Sequence, residues 1–281
     1  MAYKLMKYRE KNNTAYITLN RPKVINCLNI ALSEELYDAI WRIRNSKKLN
    51  YVVIKGAGGN FCAGDDLKEM QRGAWGDANQ AMHRVRFYQN MANQLEELDK
   101  ITVAAVDGYA VGGGLEITMV CDFVIATERA RWGMPEVDVG ITPGWGGTTR
   151  LMRLIGRRLS KEVNLVGSFH SAKRAVREGL WNRVVPNGKL DAEVEKLLAL
   201  LRTKNQQGLR QLKFTLNRNI EADLYTAQGF EAMGFGLTAA VNGWWRVDDA
   251  DKGKGLKAFR DKNALWNKRR NPAIPFWADE D

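Results

Sequence analysis

The chain has 281 residues, 45% hydrophobic and 27% charged, enough to bury one large core or a core with an appendage. No run approaches the roughly 18 apolar residues of a membrane span, and residues 1–11 mix charge with apolar residues where a signal core would be uniform, so cytoplasmic residence is the expectation. A net charge of +11 calls for anionic partners, either phosphate-bearing small molecules or nucleic acid. The three cysteines, Cys27, Cys62 and Cys121, show no metal-ligand spacing and read as thiols of a reducing compartment.

Residues 14–19, where Ala15, Ile17 and Leu19 alternate with other residues, and residues 51–55, with β-branched Val52, Val53 and Ile54, read as strands. Between them Leu32, Leu36, Ile40 and Ile43 form one apolar stripe at helical spacing, and polar residues 45–48 end that helix. Strand, helix, strand begins a right-handed crossover. Residues 78–99 carry Met82, Val85, Tyr88, Met91, Leu95 and Leu98 at helical spacing. Residues 101–106 read as a buried strand, 115–120 as a helix and 123–126 as a further strand.

The last third differs. Residues 193–201, 209–218, 224–241 and 255–263 are all read as helices with no strong strand between them. The division expected is residues 1–200, a core carrying the active site, and residues 201–281, a helical region with a proline-punctuated tail docked through Phe276 and Trp277. Lys252, Lys254, Lys257, Arg260, Lys262, Lys268, Arg269 and Arg270 form a basic patch that suits either a solvated helix face or a phosphate contact.

Two glycine clusters invite a phosphate-loop reading, and neither has the required pattern. Residues 56–59 do not open a helix with a third glycine, and residues 112–114 lack the following Lys-Ser/Thr. Gly112, Gly113 and Gly114 instead precede a helix, where amides unobstructed by side chains face outward at the positive end of the helix dipole. Glu116 follows one turn later, and Glu136 follows Pro135 in a loop. Singly, each suits a dipole partner or a solvated carboxylate; together with the glycines they suit carbonyl polarisation and proton transfer to water. His83 and His170 lack partners at ligand spacing, and no metal site is expected.

Asn20-Arg21-Pro22, Phe61-Cys62-Ala63-Gly64-Asp65-Asp66-Leu67-Lys68-Glu69-Met70, the stretch from Val106-Asp107-Gly108 through Gly112-Gly113-Gly114-Leu115-Glu116, Cys121-Asp122, and Gly133-Met134-Pro135-Glu136 through Gly147 resemble the crotonase, or enoyl-CoA hydratase/isomerase, superfamily. The resemblance runs from Asn20 to the Lys257-Ala258-Phe259 region. It implies an α/β fold, a spiral of β-β-α units followed by a helical carboxy-terminal region that mediates trimerisation, commonly as a dimer of trimers.

The same resemblance implies a site. The backbone amides of Asp65 and Gly113 would form the oxyanion hole for a thioester oxygen. Glu116 and Glu136 would activate the water that adds across a 2,3-enoyl-CoA, Glu116 as orienting base and Glu136 as the acid that protonates the α-carbon. Ala63, Gly64, Asp66, Leu67, Lys68, Gly112, Pro135 and Gly144 would line the substrate, with Phe259 reaching the acyl pocket and Lys262 the pantetheine or phosphates from a neighbouring subunit. Coenzyme A is then part of the substrate, and no separate cofactor is expected. Presence of both glutamates favours hydration over enoyl isomerisation; dienoyl-CoA and carnitinyl-CoA substrates stay open. A reading of another class is an RNA-binding protein on the same fold.

The chain departs from the superfamily pattern at Asp65, where alanine is more usual; its carboxylate is expected to face solvent or pair with Lys68. Lys100-Ile101 and Asp107 read as tolerated loop-level changes. Trp75, Trp132 and Trp145 suit either core packing or an acyl-pocket wall.

Overall fold

The structure is a computed structural model that describes residues 3–241. The chain divides into two compact units, Met1–Glu195 and Lys196–Asp281.

The first unit opens with strands β1 (Met6–Lys11) and β2 (Thr14–Leu19), joined by Asn12 and Asn13, both at positive φ. That two-residue, left-handed turn is the geometry that matches the twist of an antiparallel hairpin. Helix α1 (Ile30–Asn45) starts where the Asn29 side chain accepts the Leu32 amide at 3.0 Å, and buries Leu32, Leu36, Ile40 and Ile43 on one face. Strand β3 (Tyr51–Gly56) returns parallel to β2. The short helix α2 (Leu67–Gln71) and the long α3 (Ala78–Glu96) follow, the latter begun by a reciprocal Asp77/Gln80 capping box.

A repeating pattern then sets up the site. Strand β4 (Ile101–Val106) joins the large sheet, β5 (Tyr109–Val111) a small one, and helix α4 (Gly113–Met119) follows. Strand β6 (Phe123–Thr127) again joins the large sheet and β7 (Arg131–Gly133) the small one, leading to a 3-10 helix, Pro135–Val139, and α5 (Arg150–Val166). Strand β8 (His170–Ser171), α6 (Ala172–Arg177) and β9 (Arg183–Val185) complete both sheets, and α7 (Leu190–Arg202) runs on from them. The large sheet has the order β1-β2-β3-β4-β6-β9, parallel except at β1; the small one has the order β5-β7-β8. Every residue of β4 is buried between its parallel neighbours, which is why it reads as an unbroken apolar run.

In the second unit, α8 (Gln206–Asn219) begins at an Asn205 cap and packs on α9 (Leu224–Val241), with Phe214 and Phe230 edge to face. Among the described residues no helix is long and apolar enough to cross a membrane. The helix expected over 255–263, the basic patch and the proline-punctuated tail lie outside the described residues.

Candidate active site

The turn through Gly64 and the amino terminus of α4 meet backbone to backbone. Gly64 has φ +88°, and a Cβ there would stand 2.9 Å from the Val111 carbonyl oxygen and 3.1 Å from the Gly113 nitrogen, so only glycine fits. An isolated bridge pairs Leu28 with Asp65 through the Gly64 carbonyl and the Asp66 amide, leaving the Asp65 N–H directed elsewhere. Gly113 opens α4 and so has no intrahelical acceptor. Among the described residues neither amide donates a hydrogen bond. Two unspent donors this close can receive one developing oxyanion.

Glu116 lies in the first turn of α4 and is 2% exposed. Its Oε1 accepts the amides of Trp145 and Gly147, each at 2.7 Å, which fixes the carboxyl between α4 and the 144–147 loop. Burial pushes its pKa up to about 7, the charge of Glu136 adds to the rise, and the two amides oppose it. These main-chain donors had no signature in the sequence beyond the glycine-rich spacing of residues 144–147.

Glu136 lies in the 3-10 helix begun by Pro135, after β7, where the sequence suggested a loop following residues 123–126. The intervening β7 is only three residues long, too short for periodicity to register. A Cβ on Gly112, which has φ +53°, would stand 3.0 Å from Glu136 Oε1. Glu136 Oε2 is shielded from solvent and has no hydrogen-bond partner, and burial raises this carboxyl too to about 7. Burial thus raises both carboxyls, and the charge of Glu136 acts on Glu116 besides.

Asp65 is not paired with Lys68, and as a half-buried residue it faces solvent only in part. Its Oδ1 is buried without a partner, and Lys68 is exposed. Burial first, then the charges of Glu116, Glu136 and Glu69, hold this carboxyl well above the usual range. The neighbouring Asp66 is turned the other way: it caps α2 at Glu69 and pairs with Arg21 at 2.8 Å, so its side chain serves the turn.

Ala63 donates its amide to Ile25, Leu67 is exposed, and the Gly144 carbonyl accepts Gln89 at 2.8 Å. Phe259 and Lys262 lie outside the described residues. Trp132 and Trp145 are both core: Trp132 Nε1 donates to the Ser171 carbonyl, and Trp145 stacks on buried Tyr88 at 4.3 Å, with half-buried Trp75 next to Tyr88. Asp107 is more than a loop-level change: Arg129 and Thr127 hold its carboxylate, which titrates below the ordinary range.

Paired strands winding through two sheets define an α/β protein, with two unspent amides, buried Glu116 and half-buried Glu136 around the start of α4. The chain belongs to the enoyl-CoA hydratase/isomerase family, whose profile matches residues 9–269. It is 35% identical over 263 residues to the crotonyl-CoA hydratase of Syntrophomonas wolfei, covering 93% of this chain and 97% of that one. It is 36% identical over 234 residues to the short-chain-enoyl-CoA hydratase of Clostridium acetobutylicum, covering 81% and 86%. The crystal structure of an enoyl-CoA hydratase from Bacillus anthracis superposes with a TM-score of 0.82 at 32% identity, covering 93% of this chain and 98% of that one. The crotonase fold anticipated from the motifs is therefore the fold of this chain.

Proposed function

We propose that this protein is a hydro-lyase that reversibly hydrates a 2,3-enoyl-CoA thioester to the 3-hydroxyacyl-CoA. The observation that carries the reading is the presence of buried Glu116 and half-buried Glu136 beside the free amides of Asp65 and Gly113.

The thioester oxygen accepts both amides, which draws charge from the conjugated double bond and makes the β-carbon electrophilic; one such donor is worth roughly 3–4 kcal/mol in the transition state. Ionised Glu116, held by Trp145 and Gly147, takes a proton from a water as its oxygen bonds to the β-carbon. Protonated Glu136 delivers its proton to the α-carbon, and the adjacent acids then exchange the proton gained for the one lost. The names of the hydratase relatives support the thioester class. The three cysteines are free thiols, in keeping with the cytoplasm. Exposed Leu212, Leu216 and Leu237 in the second unit support a homotrimer or hexamer.

A panel of enoyl-CoA and 3-hydroxyacyl-CoA thioesters, followed by the absorbance of the conjugated thioester, tests the activity. Glu136→Gln is expected to lower kcat by about 10²- to 10⁴-fold. Turnover near the wild-type rate in that variant removes the acid-base assignment.

A further inference from the structure

The peptide unit that joins Gly144 to Trp145 is gripped at both ends. Its N–H donates to Glu116 Oε1 at 2.7 Å, and its carbonyl oxygen accepts Gln89 Nε2, from α3, at 2.8 Å. A trans peptide is planar, with its C=O and N–H pointing opposite ways, so a donor that fixes the oxygen also fixes the direction of the hydrogen. A line of hydrogen bonds thereby runs from α3 through the main chain to the buried carboxyl on α4.

The orientation of the Gln89 amide is itself determined. A carbonyl oxygen can only accept, so the NH2 end faces Gly144, while Gln89 Oε1 accepts Arg86 Nη1 at 3.2 Å from one turn earlier on α3. Residue 144 also lies against this helix: a Cβ there would stand 3.1 Å from Cγ1 of Val85, one turn before Gln89. Glycine suits that close approach of main chain to helix.

The second peptide unit that serves Glu116 has a different anchor. The Gly147 N–H also donates at 2.7 Å, but the carbonyl of its unit, on Gly146, accepts the Thr149 and Arg150 amides at 3.1 and 2.6 Å where α5 begins. Removing Gln89 therefore loosens one of the two amides and leaves the other held. Each amide favours the ionised carboxyl against the cost of burial.

We infer that Gln89 is a positioning residue: its side-chain amide sets the plane of the 144–145 peptide so that the Trp145 N–H is aimed at the Glu116 carboxylate. Its kinetic consequence rests on the hydration reading above, whereas the aiming rests on the geometry alone.

Infrared difference spectroscopy of the full chain tests it. The carboxyl band of Glu116 is assigned by its absence in Glu116→Gln, and its titration midpoint is followed in wild type, Gln89→Met and Gln89→Asn. Methionine keeps the length and loses the donor; asparagine keeps the amide and is one methylene short. The other acids that act on this site, Glu136 and Asp65, are present in all three, so their charges do not distinguish them. The midpoint is expected to rise by about one pH unit in both variants, a tenfold change in the protonation equilibrium. An unmoved midpoint in Gln89→Met, or in Gln89→Asn should the first not fold, overturns the inference whatever happens to Tm. A wild-type Trp145 amide that exchanges with solvent deuterium as fast as the amide of exposed Thr142 overturns it without any variant. Hydration of crotonyl-CoA is measured alongside, where kcat should fall about tenfold in Gln89→Met with KM little changed. A shifted midpoint in a protein that turns over no thioester keeps this inference and sinks the hydratase reading; wild-type turnover with an unmoved midpoint does the reverse.

Discussion

Gly112 stands so close to Glu136 that a Cβ at residue 112 would lie 3.0 Å from the Glu136 Oε1. The same residue has φ +53° and ψ −126°, a combination that side chains disfavour. Gly112→Ala therefore both strains the backbone and pushes the acid. Loss of roughly 1–3 kcal/mol of stability is expected, with kcat down at least tenfold. Gly179→Ala is the control: φ is +80° and nothing lies within 4 Å, so it should cost stability and spare turnover. Equal kcat losses in the two variants would mean that strain alone is responsible.

The acid pair predicts a bell-shaped pH dependence of kcat/KM. Both carboxyls lie near 7, so at low pH neither is a base and at high pH neither is an acid. The maximum should fall near neutrality, and its two limbs belong to the pair. A flat profile from pH 5 to 9 would exclude this proton arrangement.

Stability should respond to the same ionisations. The folded Glu136 carboxyl titrates near 7 against an ordinary value of 4.5, so the native state holds more protons between those limits. Its contribution is fully present below about 4.5 and is lost as pH rises through about 7. Glu136→Gln removes the ionisation. Its Tm should match wild type near pH 4 and exceed it by several degrees at pH 8. A Tm difference independent of pH would contradict the raised value.

Much of this arrangement is visible in the chain before folding. The Leu32, Leu36, Ile40 and Ile43 stripe dictates α1, and the apolar run of β4 dictates a central strand, because both are buried on the faces their period defines. Strand β1 escapes notice because it is an edge strand with only Met6 fully buried. Strands β5, β7, β8 and β9 are too short for any period, and the stripe of α5 is interrupted by non-helical Gly156. At the site, the glycines and glutamates are legible as chemistry, whereas the amides that hold Glu116 are main chain and leave no residue-type signal. Asp65 and Asp66 are chemically alike in sequence. Only the fold tells them apart, by giving Arg21 and the α2 cap to Asp66 and shutting one Asp65 oxygen off from solvent.

Arg150 extends the site one layer outward. Its Nη1 donates to the Trp145 carbonyl at 2.8 Å, while Nη2 reaches Asn93 and Glu96, each at 2.6 Å, tying the 144–147 loop to α3. That loop supplies the amides which stabilise ionised Glu116 and partly offset its burial. Arg150→Lys keeps the charge and loses the planar fork, so it cannot hold all three partners at once. Arg150 is a positioning residue, and its loss should act through Glu116: kcat falls about tenfold, and the acid limb of the pH profile moves upward as the amides drift from the carboxyl. A purely structural role would lower the amount of active protein and leave the limb where it was. If the limb stays fixed while Tm drops, the brace supports the fold alone, and the pKa of Glu116 is set without it.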